Sequence, residues 1–131
     1  MSSDAEKISG LFQNFERSAF RLEMQQTYTI PSEQDRLKAF LAGGSQPQRD
    51  LRWHGNVAAK IAEGKTMPRS KVVRRPLSDY TRFLFAWSVP ENIRAGEEYR
   101  IVDLTDRHLE LPSRDFWLFD DKVLLLLNFQ G

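Results

Sequence analysis

The chain contains no cysteine. That excludes disulfides, thiol nucleophiles and zinc sites built on thiolate, and it fits a reducing compartment. Histidine is scarce as well: His54 and His108 lie on different segments, neither four residues from a second histidine. A catalytic metal would therefore have to draw its ligands largely from carboxylates. The longest aliphatic run, residues 123–127, falls far short of the ~20 residues that span a bilayer. The opening MSSDAEKIS carries acids where a secretory signal carries bases. The glycine-rich loops that cradle phosphates are missing, and so is a Gly-x-Ser-x-Gly elbow. The expectation is a cytoplasmic protein with no membrane segment, no cofactor and no metal.

What is present is a globular balance, 40% hydrophobic and 28% charged, in a length suited to a single domain over residues 1–131. Ile8, Leu11, Phe12 and Phe15 repeat with helical spacing behind Ser2 or Ser3 as a cap. Phe20, Leu22 and Met24 alternate with Arg21 and Glu23, which predicts a strand with one wet face, continued by Tyr28 and Ile30 up to Pro31. Ser32 and Asp35 approximate a capping box for a helix carrying Leu37, Phe40 and Leu41, ended by Gly43-Gly44. Residues 45–49 read as a loop. Trp53, Val57 and Ile61 make a third helix, closed by Gly64.

A short strand is predicted over 71–75. Leu77, Tyr80, Phe83, Leu84 and Trp87 then follow at helical spacing until Pro90 breaks the pattern, leaving one further turn before Gly96. A strand over 99–104 precedes a hairpin whose arms are 116–119 and 122–129, with its turn at Asp120-Asp121. The unalternating leucines of the last arm suggest a central strand covered on both faces. The resulting class is α+β: a mostly antiparallel sheet with a C-terminal hairpin, packed against N-terminal helices.

Charge is unevenly spread although the net is only +1. Residues 52–75 hold seven Lys/Arg against one acid, Glu63, whereas residues 91–122 hold nine acids against five bases. Such blocks steer partners when they become patches. Arg69, Lys71, Arg74, Arg75 and Arg82 offer phosphate-binding chemistry, because guanidinium forks match phosphate oxygens. Lys71, Arg74, Arg75 and Arg82 are the candidate binding face, with Trp53 and Tyr80 added if they are exposed. The bland alternative is a local Asp79–Arg82 pair in front of a core helix.

Asp79, Tyr80, Arg82 and Asp103 are the candidate catalytic groups, with Tyr80 as proton donor and Arg82 as anion clamp. Glu63-Gly64-Lys65 and Asp120-Asp121-Lys122 show the acid-x-lysine spacing of some metal-dependent nucleases. The group Asp103, Asp106, Asp115, Asp120 and Asp121 would suit a hard cation only if the strand ends converged. Acids in turns more often serve turn chemistry.

Four stretches carry a family resemblance: SAFRLEMQQTYTIPSE (18–33), RRPLSDYTRF (74–83), AGEEYRIVD (95–103) and DFWLFDD (115–121). In these the chain resembles an uncharacterised family of small actinobacterial proteins, often encoded beside helix-turn-helix regulators and classed as a domain of unknown function. Two features depart from its pattern. Members carry an acid before the proline of their PLxDY motif, where this chain has Arg75, and they continue past the final strand into a helical segment, where this chain stops at Gly131. A sheet edge left uncovered there would favour strand addition or a homodimer.

The resemblance implies no activity and no catalytic residues. Its gene context implies a regulator-associated or toxin–antitoxin-like component. The first expectation is a regulatory or interaction protein with a protein partner such as a helix-turn-helix regulator, with weaker support for nucleic acid. The alternative is an enzyme, a nuclease-like toxin or a small-molecule enzyme, built on Asp79/Arg82 and Asp120/Asp121/Lys122.

Overall fold

The structure is a computed structural model that describes residues 3–48 and 50–127. Helix α1 (Asp4–Asn14) begins where the sequence places it: the Ser3 hydroxyl accepts the Glu6 backbone N–H at 3.1 Å. The alternative cap, Ser2, lies outside the described residues. Strand β1 (Ala19–Glu23) follows. Tyr28 and Ile30 do not extend it, because the chain leaves the sheet after β1 and folds Tyr28 inward as a core side chain. Pro31–Glu33 form a turn of 3₁₀ helix ahead of α2 (Gln34–Leu41), whose N-cap is Glu33, so Ser32 and Asp35 make no capping box.

Helix α3 (Arg52–Ala62) ends at Gly64 with φ +87°, the left-handed conformation glycine tolerates. Strand β2 (Pro68–Val73) starts three residues before the predicted one. Ser78 then caps α4 (Asp79–Phe83), accepting from the Thr81 N–H. Pro90 does not end this helix. A stretch of π-helix, Leu84–Ser88, leads directly into α5 (Val89–Ala95), with Pro90 in its first turn. Proline lacks an N–H, and the wider π register ahead of it lets the chain pass without a break.

Strands β3 (Glu98–Asp103), β4 (Phe116–Phe119) and β5 (Val123–Leu126) complete one sheet in the order β3-β2-β1-β4-β5. The class is α+β with a C-terminal hairpin. The sheet is mixed: β1 pairs in parallel with β2, and β2 with β3, through helical crossovers, while β1–β4 and β4–β5 are antiparallel. Strand β5 is an edge strand rather than a central one. Leu124 and Leu126 on its outer face are 53% and 48% exposed. Residues 128 and 129 of the predicted arm, and the chain end at Gly131, lie outside the described residues.

The helices cover one face of the sheet. Phe15, Val57 and Met67 pack there on Ala19, Trp117 and Phe119. Phe12 meets the Trp53, Trp117 and Phe119 rings edge-on at 5.0–5.8 Å. A second cluster of Tyr28, Tyr80, Phe83 and Leu84 joins α4 to the loop after β1.

The hairpin turn is locked to the end of α1 by Asp120. With φ +53° at Asp120 and +57° at Asp121, the turn places one carboxylate against the backbone N–H groups of Glu16, Arg17 and Ser18, at 2.8, 2.6 and 3.0 Å. Burial works against the charge, yet the three N–H groups outweigh it and hold the carboxyl below the usual aspartate range. Asp120→Ala is expected to cost about 1–3 kcal/mol, and Asp120→Asn less, since the amide oxygen still accepts. A carboxylate with a depressed folded pKa contributes fully above the ordinary value near ~4 and loses its contribution as pH falls through the folded value. Urea unfolding at pH 7 and pH 3 checks both points: the gap between wild type and Asp120→Ala should shrink at the lower pH.

A charged cleft on the inner face of the sheet

Alternation in β1 puts Phe20 and Leu22 on one face and Arg21 and Glu23 on the other. The charged face points inward. Glu23 is 7% exposed, the opposite of the wet face its composition suggests. Parallel register sets Tyr99, Arg69, Arg21 and Trp117 abreast across four strands, with Ile101, Lys71 and Glu23 in the adjacent row. Glu97 and Asp115, each one residue ahead of β3 and β4, supply further buried carboxylates.

Arg69 is the hub. Its Nη1 donates to Glu23 Oε1 at 2.8 Å and its Nη2 to Glu97 Oε1 at 2.5 Å, while its guanidinium lies 5.3 Å from the Tyr99 ring and 5.6 Å from the Trp117 ring. Glu97 also accepts the Trp53 indole N–H at 3.2 Å. Asp115 accepts from the Met24 backbone N–H at 2.9 Å and from the Tyr28 hydroxyl, and stands 3.5 Å from Arg21. Lys71, 1% exposed, is held more loosely: it donates to the Gln25 carbonyl at 3.3 Å and sits 4.0 Å from Glu23 and 5.4 Å from the Tyr28 ring.

Gln26 fastens this region to the start of α4. Its side chain donates to the Val72 carbonyl and accepts the Arg74 N–H, and its own carbonyl accepts both the Ser78 and Thr81 hydroxyls.

Above these side chains lies a cleft of about 590 Å³, floored by Arg21, Glu23, Arg69, Lys71 and Tyr99 and walled by α2, the start of α3 and the α4–α5 helix. Its volume is in the range that accepts a small ligand. Arg36 of α2 reaches across to the Ser88 hydroxyl at 3.1 Å, over the Phe83 ring, and the Tyr80 hydroxyl donates to Glu33 at 2.5 Å. Both ring nitrogens of His54 are buried in the wall and have no hydrogen-bond partner among the described residues. The same is true of Arg69 Nε.

Electrostatics follow from burial. Burial pushes the Glu23 carboxyl up, but Arg69, Arg21 and Lys71 outweigh it and hold it below the usual carboxylate range. Burial pushes the Lys71 ammonium down, against the pull of Glu23 and Asp115. It raises the Tyr80 phenol well above its ordinary range, helped by Glu33, and raises Tyr99 to about 12 despite Arg69.

The residues singled out in sequence are dispersed. Lys71 is interior, Arg74 is exposed just past β2, Arg75 pairs with Asp103 at 2.9 Å, and Arg82 pairs with Asp79 within α4. Lys71 therefore does not share a face with the exposed Arg74, Arg75 and Arg82. Tyr80 and Trp53 belong to the cleft wall rather than the surface. Asp120 serves the turn, and Asp121 and Lys122 are exposed beside it. Glu63 and Lys65 pair with each other at 3.1 Å. No group of three or more His, Asp or Glu side chains among the described residues is arranged to hold a metal ion.

Arg21, Glu23, Tyr28, Arg36, Glu97 and Tyr99 line or support the cleft without being sequence candidates, whereas His54 and Asp115 enter the sequence reading only as metal ligands. The available signal was parity: charged residues two apart, Arg21/Glu23 and Arg69/Lys71, in or beside segments with strand character.

The two basic groups of β2 differ in what they do for the fold, which sets up a test. Arg69→Met strands Glu23 and Glu97 and is expected to cost about 3–5 kcal/mol. Lys71→Met removes a weakly paired buried ammonium and is expected to leave stability unchanged or raise it by about 1–2 kcal/mol. Because the folded pKa of Lys71 is depressed, the wild type gains stability as pH rises from that folded value towards about 10.4, and the Met variant lacks that rise. Urea denaturation at pH 7 and pH 10 measures both effects.

Comparison with known families places this arrangement in context. The chain belongs to the family described as a domain of unknown function, DUF6879, whose profile matches residues 6–131. No curated protein matches it significantly.

Proposed function

We propose that this member of the DUF6879 family is a regulatory protein that holds a small polar molecule in its inner-face cleft and responds through a protein partner. The observation that carries the reading is the row Tyr99–Arg69–Arg21–Trp117 with Lys71 and Glu23 beside it: ionised side chains ordered under an open cleft rather than neutralised in a closed core. A buried charge network contributes little net stability, so its presence under a cavity favours recognition. The exposed Leu124 and Leu126 on edge strand β5 support the partner half of the reading. The gene context implied by the family resemblance makes a helix-turn-helix regulator the first partner to try.

The enzymatic alternative finds less support, because Asp120, Asp121 and Lys122 lie at the hairpin turn against residues 16–18, at the opposite end of the parallel strands from Asp103. Nucleic-acid binding likewise loses ground with Lys71 interior and Arg75 and Arg82 each held by an acid.

A thermal-shift screen of polar metabolites tests the cleft. A true ligand at 100 times its Kd adds about 2.7 kcal/mol, on the order of 10 °C in Tm for a chain this size. The shift should vanish in Trp53→Ala. A screen with no compound above 1–2 °C, on the order of the scatter expected for weak binding, would count against a ligand site.

A further inference from the structure

Building on the reading of the cleft as a ligand site, we propose that its ligand carries an oxyanion, carboxylate or phosphate, seated among Lys71, Arg69 and His54, with an aromatic or apolar body against Trp53 and Tyr80. Both oxygens of Glu97 already accept, one from Arg69 and one from the Trp53 indole. Both oxygens of Asp115 accept, from the Met24 N–H and the Tyr28 hydroxyl. Glu23 takes Arg69 on one oxygen and faces Lys71 with the other.

The donors are not used up. An ammonium has three N–H groups, and among the described residues Lys71 has a single hydrogen bond, to the Gln25 carbonyl at 3.3 Å. Arg69 keeps a buried Nε–H and His54 two buried ring nitrogens without partners among the described residues. Buried polar groups left in that state are costly; the Lys71 ammonium, the Arg69 Nε–H and the N–H of the His54 ring lack acceptors. An oxyanion supplies several acceptors in one small group and a charge that suits Lys71 and Arg69. The lowered pKa of Lys71 agrees, since an incoming anion restores the ammonium that burial disfavours.

Three probes of one shape make the test: benzoate, phenyl phosphate and the uncharged benzamide, titrated into the protein while the His54 ring and Trp53 indole signals are followed by NMR. At least one anion should move both signals and bind about tenfold or more tighter than benzamide, the order expected for charge-assisted hydrogen bonds. Preference for benzoate identifies a carboxylate ligand, and preference for phenyl phosphate a phosphoryl one.

Lys71→Met should weaken the favoured anion by about tenfold or more without lowering Tm, and His54→Phe should weaken it independently. Benzamide binding as tightly as both anions, absence of binding by either anion at millimolar concentration, or an unchanged anion affinity in Lys71→Met overturns the proposal. A neutral compound from the metabolite screen that moves the Trp53 signal would overturn the oxyanion and leave the cleft reading standing. A screen without any hit would take down both.

Discussion

The Arg69 guanidinium, gripped by Glu23 and Glu97 and sandwiched between Tyr99 and Trp117, is the interaction on which the arrangement of the inner face depends. It joins β1, the entry to β3 and the aromatic half of the sheet in one group. Guanidinium suits the place: planar, always charged, able to serve two carboxylates and two ring faces together. Its position also fixes Glu97, which in turn orients Trp53 at the start of α3. The turn before Glu97 admits little variation. Gly96 has φ +119°, and a Cβ there would stand 2.5 Å from Ile61 Cγ1, so α5 closes tightly on α3 just where the carboxylate must be delivered.

The two halves of the inner face do different work. On the Trp117 side, apolar side chains from α1 and α3 fill the space above the sheet, and burial of aromatic surface dominates. On the Lys71 side the helices stand away from the strands and the sheet floor is ionic. The difference follows from the connections. Helix α3 precedes β2 and packs over the sheet, while Leu37 and Phe40 of α2 pack against Tyr28 and against Tyr80 and Phe83 of α4. The π-helical stretch keeps α4 and α5 one continuous wall, so the cleft has a long, unbroken side.

Elements with strong local signals were legible in the sequence. Ser3 with its apolar repeat, Gly64 and Gly96 at helix ends, and Asp120-Asp121 between two apolar arms each express one short-range preference, and each holds in the fold. What could not be read locally was which face of each strand turns inward. Arg21 and Glu23 look solvated next to Phe20 and Leu22, because charge usually marks the wet face. Only the pairing of β1 with both β2 and β4 brings Arg69, Lys71 and Asp115 close enough to make those charges interior. The leucines of β5 were misjudged by the converse inference: an unbroken apolar run suggested two covered faces, and the strand sits at an edge. Parallel pairing is non-local information, and neither period nor capping carries it.

Lys71 stands apart within this consistent background. Arg69 pairs with Glu23 and Glu97, and Asp115 is held by Tyr28, Arg21 and the Met24 N–H, whereas Lys71, only 1% exposed, has one long hydrogen bond among the described residues and stands at the far limit of an ion pair with Glu23. A methionine of similar length would fill the same space without the desolvation cost. Local rules that a fold obeys elsewhere and breaks at one site point to function at that site, since stability is given up where something else is gained. In this protein the break coincides with the floor of the cleft and with the His54 ring nitrogens and Arg69 Nε, which have no partner among the described residues. The basic stretch that stands out in the sequence thus divides: its conspicuous arginines at 74, 75 and 82 belong to the surface, and the two inward members of β2, Arg69 and Lys71, floor the cleft.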